Sequence, residues 1–310
     1  MELRVLEYFL AVAREQNITA AAESLHISQP ALSTQLKNME DELGKQLLIR
    51  GVKGSRKIIL TEEGMILRKR AEEILSLVKR TENEITQSDE TIVGNVFIGA
   101  GETEIVRLFA IVAKKLQKKY PDIQFHISSG NAEHVLEYLD KGLIDFGLLF
   151  TEIDPHKYES IPVPVKDTWG VLMRRDSPLA KKERIRPEDL WDKPLIISHQ
   201  KGEDIYLGRW LQRKESDLHI VATYNLLFNA SLLVAEGLGY ALCHDKIMNT
   251  QGSNLCFRPF YPQLEAHGFL VWKKYQMFSK AANAFLESLR ELLENKEQCF
   301  ESGETNRCVL

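Results

Sequence analysis

The sequence has little of what would announce a membrane protein or an enzyme. No uninterrupted apolar run approaches the roughly 20 residues needed to cross a bilayer. The opening stretch MELRVLEYFLAV carries Glu2, Arg4 and Glu7 inside its apolar pattern, which is wrong for a secretory signal, so a cytoplasmic location is expected. There is no excess of positive charge. Lys and Arg number 40 against 44 Asp and Glu, a net charge of -4, where nucleic-acid-binding chains are often strongly basic. Any nucleic-acid surface must therefore be sought locally. Cys243, Cys256, Cys299 and Cys308 show no C-x-x-C spacing, which favours buried or incidental thiols over zinc or redox centres. Cys243-His244-Asp245 holds residue types suited to nucleophilic catalysis. However, adjacent residues rarely converge on one point, because triads are assembled from separate elements. A nucleophile elbow, a P-loop and paired metal ligands are missing. "GAGETE" has Glu104 where a dinucleotide fingerprint needs its third glycine. No cofactor or metal is expected, and no enzymatic activity.

What is present is a globular composition, 44% hydrophobic and 27% charged, in 310 residues, enough for two or three domains with ordinary cores. Short helical patterns over 1–60 give way to "TEEGMILRKRAEEILSLVKRTENEITQ", a helix with Thr61 as N-cap and Glu62 and Glu63 in its first turn. Ile66, Leu67, Ile74, Leu75, Leu77, Val78 and Ile85 recur on roughly one side of it. A long helix of that kind is more often an interface element than a core one, so self-association is expected. Beyond "QSDETIVGN", strand patterns such as "NVFIGAG", "IQFHISSG", "LIDFGLLF", "WGVLMRRD", "PLIISH", "HIVATYN", "YALCHD" and "HGFLVWKK" alternate with helical ones. That alternation predicts an α/β architecture with parallel units. The glycines of "EGLGY" are expected to end a helix. The residues from about Glu297 are polar and expected to be loose.

The stretch "ITAAAESLHISQPALSTQLKNMEDELG" carries the strongest signal. Leu32, Leu36, Met39 and Leu43 are spaced to form one buried face of a helix. Ser28 is placed to cap that helix, and Pro30 sits in its first turn, where the missing N–H costs nothing. The opposite side presents Gln29, Ser33, Thr34 and Lys37, groups suited to base edges and phosphates. Ala20, Ala21 and Ala22 let a preceding helix, Thr19 to Leu25, cross closely around the turn His26-Ile27-Ser28. This predicts a helix-turn-helix with its second helix outward. A generic helical hairpin with a solvated polar face fits the spacing too. The next segment favours DNA: Lys45, Arg50, Lys53, Arg56 and Lys57 are its only charged residues. They lie in and around the two short apolar stretches of a wing-like hairpin.

"FLAVAREQNITAAAESLHISQPALSTQLKNMEDELGKQLLIR…LTEEG" resembles the N-terminal signature of LysR-type transcriptional regulators, over about the first 65 residues. Ile18, in place of a small polar residue, and Leu48, in place of phenylalanine, depart from the usual pattern. The resemblance implies double-stranded DNA as partner, contacted through Ser28, Gln29, Pro30, Ser33, Thr34, Lys37, Arg50, Lys53, Arg56 and Lys57. It also implies dimers, tetramers and contact with RNA polymerase, without membrane association. The remaining chain resembles the family's effector domain more diffusely, implying two periplasmic-binding-protein-like subdomains joined by crossing strands. The expected organisation is a winged helix-turn-helix domain over 1–60, a linker helix over 61–90 and an effector domain over 91–310. Within the last, subdomain I covers 91–161 and 267–296, and subdomain II covers 162–266.

Open α/β sheets bind ligands beyond the carboxyl ends of their strands. That rule selects the loops after "FIGA", "IQFHI", "GLLF" and "LII", which the resemblance places along an effector cleft. Gly101, Thr103, Ser129, Asn131, Phe150 and His199 are the candidate effector contacts. Ser129 and Asn131 could equally cap a helix, and His199 could be an ordinary loop histidine. Glu102 and Glu104 disfavour an anionic ligand unless they point away. An enzymatic or solute-binding α/β domain with an N-terminal interaction module remains the alternative.

Overall fold

The computed structural model describes residues 1–51, 57–86, 92–151, 153–198 and 203–301. The chain divides into two compact units, Met1–Gln87 and Ser88–Leu310.

The first unit contains α1 (Leu3–Glu15), α2 (Ile18–Ser24), α3 (Gln29–Leu43), β1 (Leu48–Arg50), β2 (Ile58–Leu60) and α4 (Glu62–Thr86). Local chemistry sets its boundaries. Asn17 Oδ1 accepts the backbone N–H groups of Thr19 and Ala20 at 2.9 and 3.3 Å, starting α2. Ser28 Oγ accepts Ala31 N–H at 3.3 Å, starting α3. Gly44 ends α3 in the left-handed region, with φ 64°. Thr61 Oγ1 accepts Gly64 N–H at 3.0 Å, starting α4. The core joins Leu6, Phe9, Val12, Ala21, Ala22, Leu32, Leu36, Met39, Leu48 and Ala71. Leu48 is fully buried in place of the larger phenylalanine, and Ile18 packs at the margin.

Leu43 does not extend the buried stripe of α3: it is the last helical residue and is 42% exposed. Of the three alanines, Ala21 and Ala22 are buried and Ala20 is only half-buried.

The second unit begins with β3 (Gly94–Ala100), α5 (Val106–Lys119), β4 (Ile123–Ser129), α6 (Ala132–Asp140) and β5 (Phe146–Leu149). It continues with β6 (Tyr158–Arg174), β7 (Leu195–Ser198), α7 (Glu203–Leu211), β8 (Ile220–Tyr224), α8 (Leu227–Ala235) and β9 (Tyr240–His244). Last come β10 (Leu255–Pro259), β11 (Glu265–Lys273) and α9 (Lys280–Glu301). The strand order is β4-β3-β5-β11-β6-β9-β7-β8, with β10 also on β6. β3 runs parallel to β4 and β5, and β7 runs parallel to β8 and β9. β6 and β11 pair antiparallel from Tyr158 opposite Lys273 to Thr168 opposite Glu265, and so join the two groups.

Helices cover the sheet and bury separate cores. Phe109, Phe146, Phe285 and Leu289 centre one group, and Trp169, Trp210, Leu242 and Phe260 centre the other. Gly237, with φ 82°, follows the C-terminal end of α8, the role expected of "EGLGY". The strand expected at "WGVLMRRD" is only the final part of β6, which begins at Tyr158. β10 was not expected at all. α9 continues helically through Glu301, past the expected loose point, and 302–310 lie outside the described residues.

Candidate functional site

On the first unit, Gln29, Thr34 and Lys37 are exposed along α3, and Ser33 is half-buried beside them. Ser28 and Pro30 are exposed at its N-terminus, where Ser28 is the cap. The Thr34 hydroxyl donates back to the Pro30 carbonyl at 2.9 Å, which leaves its oxygen to accept from outside. Lys37, Lys45 and Arg50 share one shallow concavity between α3 and β1, so the structure brings helix and wing cations together.

The cations there are not uncompensated. Arg50 lies 3.7 Å from Glu40, and Lys45 lies 3.4 Å from Glu63. Both lysine and arginine are exposed, so these pairs are weak and exchangeable with phosphate. Glu40 also accepts the backbone N–H groups of Leu47 and Leu48 at 2.8 and 3.0 Å, tying α3 to the wing. Lys57 begins the return strand side of the hairpin; Lys53 and Arg56 lie outside the described residues. Among the described residues, α4 packs Leu67, Ala71 and Leu75 into the unit's core. Ile66, Ile74, Leu77 and Ile85, all within about 100° of one side at 3.6 residues per turn, remain exposed.

In the second unit, a cavity opens at the carboxyl ends of β3, β5, β7, β8 and β9. It leaves about 40 Å³ in which the centre of a water can move. Gly101 and Phe150 line it. Thr103, Ser129 and Asn131 are placed otherwise. Thr103 donates its hydroxyl to Asp167 and accepts Ile105 N–H at 3.0 Å. Ser129 is exposed at the end of β4, and Asn131 Oδ1 caps α6 by accepting His134 N–H at 2.9 Å. His199 lies outside the described residues. Of the two acids, Glu104 pairs with Arg107, whereas Glu102 reaches the cavity and accepts the N–H of Leu227, the first residue of α8.

The histidine found in the cavity wall is His244, at the end of β9. Its Nδ1 lies 3.2 Å from Asp167 Oδ2, and its Nε2 is buried without a hydrogen-bond partner. Trp169 stands edge-on to the ring at 4.3 Å, and Phe150 lies 5.5 Å away. Cys243 also reaches the wall, but it is wholly buried, and that burial pushes its thiol far above the usual range. Cys243, His244 and Asp245 therefore do not form a catalytic set: the histidine takes Asp167, from a different strand, as its partner. The rule that selected the loops after four strands selects His244 equally well when applied to β9. Asp167 and Trp169, in mid-strand on β6, carry no comparable sequence signal.

Comparison with known proteins agrees in both units. The model of the bacterial regulatory helix-turn-helix protein, lysR family, matches residues 3–65, and that of the LysR substrate binding domain matches residues 90–294. A hydrogen peroxide-inducible genes activator from Pectobacterium carotovorum subsp. carotovorum is 29% identical over 266 residues, covering 84% of this chain and 86% of the relative. The DNA-binding transcriptional dual regulator OxyR of Escherichia coli (strain K12) is 32% identical over 198 residues, 64% of this chain and 63% of that protein. The crystal structure of CbnR, a LysR family transcriptional regulator, shares the fold with a TM-score of 0.74 at 19% identity, covering 94% of this chain and 99% of that one. Full-length CbnR complexed with its target DNA gives 0.73 at 20% identity, over 94% and 99% of the two chains. With a helix-turn-helix unit followed by a substrate-binding unit, this chain belongs to the LysR family of DNA-binding transcriptional regulators, which are not enzymes.

Proposed function

We propose that this regulator reads operator DNA with α3 in the major groove and responds to a small molecule bound in the cavity beside His244. The observation that carries the reading is the outward row Gln29, Thr34 and Lys37 beside Arg50 of the wing. Amide and hydroxyl groups suit base edges, while the cations suit phosphates. The exposed stripe Ile66, Ile74, Leu77 and Ile85 supports dimers through α4, which set two α3 helices on half-sites about one helical turn, ~34 Å, apart. Dimers pair into tetramers, and the effector shifts the population between two dimer arrangements by binding one more tightly. The regulator acts in the cytoplasm on RNA polymerase recruitment, with no cofactor beyond the effector.

The peroxide response named for the Pectobacterium relative does not extend to this chain through Cys243 or Cys256. Thiol-based peroxide chemistry needs an accessible thiolate. The described thiols Cys243 and Cys256 are both buried.

Lys37→Ala tests the DNA assignment. Losing one phosphate contact lowers the slope of log affinity against log salt by about one and weakens binding to all sequences similarly. Ser33→Ala is expected to weaken operator binding at one base position by about 1–3 kcal/mol. Unchanged operator affinity and salt slope in both variants, measured by fluorescence anisotropy, removes α3 as the reading helix.

A further inference from the structure

Two hydrogen-bond acceptors on residues that line the cavity lack a donor from the described residues. The first is His244 Nε2, on a residue only 7% exposed. A carboxylate only accepts, so Nδ1 carries the proton toward Asp167, and in the neutral tautomer that this bond selects Nε2 presents a lone pair. Thr103 donates to the same Asp167 oxygen and holds the pair from behind, while Trp169 and Phe150 shield the ring. The second acceptor is Glu102. One of its carboxylate oxygens takes the Leu227 N–H, and the other has no partner among the described residues. A buried acceptor is normally satisfied, so His244 Nε2 marks where a donor belongs, and the half-buried Glu102 adds a negative charge on the same cavity wall.

The same features work against an anion. Leu227 at the N-terminus of α8 and Ala132 at that of α6 both line this cavity, and a helix N-terminus is where a carboxylate or phosphate is held. Glu102 already fills the α8 position with a carboxylate of the chain's own. Among the described lining residues there is no Lys or Arg. The open volume of about 40 Å³ corresponds to roughly three water positions.

We propose that the effector presents a compact cationic group rich in N–H donors, of the alkylammonium type, which sits between His244 Nε2 and Glu102. The ammonium donates one N–H to the imidazole lone pair and faces the remaining carboxylate oxygen with its charge. Its one or two nearest carbons pack against Phe150, Trp169 and Leu227. This rests on the reading of the cavity as the effector site.

The test uses the full-length protein with three probes of similar size, ethylammonium, ethanol and acetate, at constant ionic strength. The readouts are the side-chain ¹⁵N resonance of His244 and the thermal midpoint. For three heavy atoms the dissociation constant is about millimolar at best. Ethylammonium is expected to shift the His244 Nε2 resonance saturably and to raise the midpoint. Ethanol should do so more weakly, and acetate not at all. Glu102→Gln still accepts the Leu227 N–H, and it is expected to weaken ethylammonium binding by about tenfold or more while leaving ethanol unchanged.

Saturation by acetate at equal or lower concentration, an unmoved His244 resonance under ethylammonium, or undiminished ethylammonium binding by Glu102→Gln overturns the proposal. If Glu102→Gln fails to fold, the wild-type resonance decides alone. Operator affinity separates the two readings. Ethylammonium binding without any change in DNA affinity supports the ligand class and overturns the cavity as a regulatory site. An acetate-dependent change in DNA affinity does the reverse.

Discussion

Glu40 links the reading helix to the wing, and its removal should loosen the wing before anything else. One carboxylate oxygen accepts both Leu47 N–H and Leu48 N–H, at 2.8 and 3.0 Å, and the other faces Arg50 at 3.7 Å. Leu47 and Leu48 are 2% and 1% exposed, so neither amide finds water easily once its acceptor is gone. An unsatisfied buried donor costs about 1–3 kcal/mol, and sharing one oxygen limits the pair to about 2–3 kcal/mol for Glu40→Ala. The Arg50 contribution is small, because its side chain is 45% exposed and surface ion pairs contribute about 0–1 kcal/mol.

Glu40→Gln keeps an acceptor oxygen and loses only charge, so it should cost about 1 kcal/mol. Amide hydrogen exchange reads the difference directly. At 1.4 kcal/mol per decade, the Leu47 and Leu48 amides should exchange roughly 30- to 100-fold faster in Glu40→Ala and about fivefold faster in Glu40→Gln. Equal acceleration in both variants would show that charge, not the acceptor, holds the wing. No acceleration in Glu40→Ala would refute the link altogether.

Two further outcomes follow from burial. Leu77→Glu places a charge on the exposed stripe of α4, where a symmetric dimer would bury each leucine for about 1.5–3 kcal/mol. Analytical ultracentrifugation should show at least tenfold weaker self-association with unchanged helicity, and an unaltered association constant would remove α4 from the interface. The Cys243 thiol is pushed far up, first by burial and further by Asp245 and Glu102. Its folded state therefore keeps the proton after the unfolded thiol has lost it. That stabilising contribution is present below the ordinary thiol range and is lost as pH rises above it. Native Cys243 should accordingly resist iodoacetamide at pH 8 until the protein unfolds, as read by mass spectrometry, and labelling at the rate of a free thiol contradicts this.

The N-terminal unit was legible because its signals are local. Ser28 caps α3, Thr61 caps α4, and Leu32, Leu36 and Met39 repeat at helical spacing. Leu43 shows where periodicity stops informing: the pattern continues, but the helix ends before the stripe can use it. The first part of β6, Tyr158–Thr168, was not expected as a strand, and it holds Pro162 and Pro164, residues disfavoured within a sheet. Along Tyr158–Thr168 its described strand neighbour is β11, and a strand paired on one side tolerates a proline lacking N–H on the other. The cavity was located by the strand-end rule, but its polar centre was not. Asp167 meets Thr103 and His244 only through the sheet order, which brings β3, β6 and β9 together across the chain. Asn131 was open between ligand contact and helix cap, and its Oδ1 caps α6, because the same amide chemistry suits both tasks.

Whether α3 reads sequence on DNA is decided by immunoprecipitation of the full-length regulator from its own cells, followed by sequencing of the bound DNA. The expected result is enrichment of a discrete motif whose half-sites repeat at about one helical turn, ~10 base pairs, with the enrichment lost in a Ser33→Ala, Lys37→Ala double variant. Enrichment without a shared motif, or a motif that survives the double variant unchanged, contradicts it.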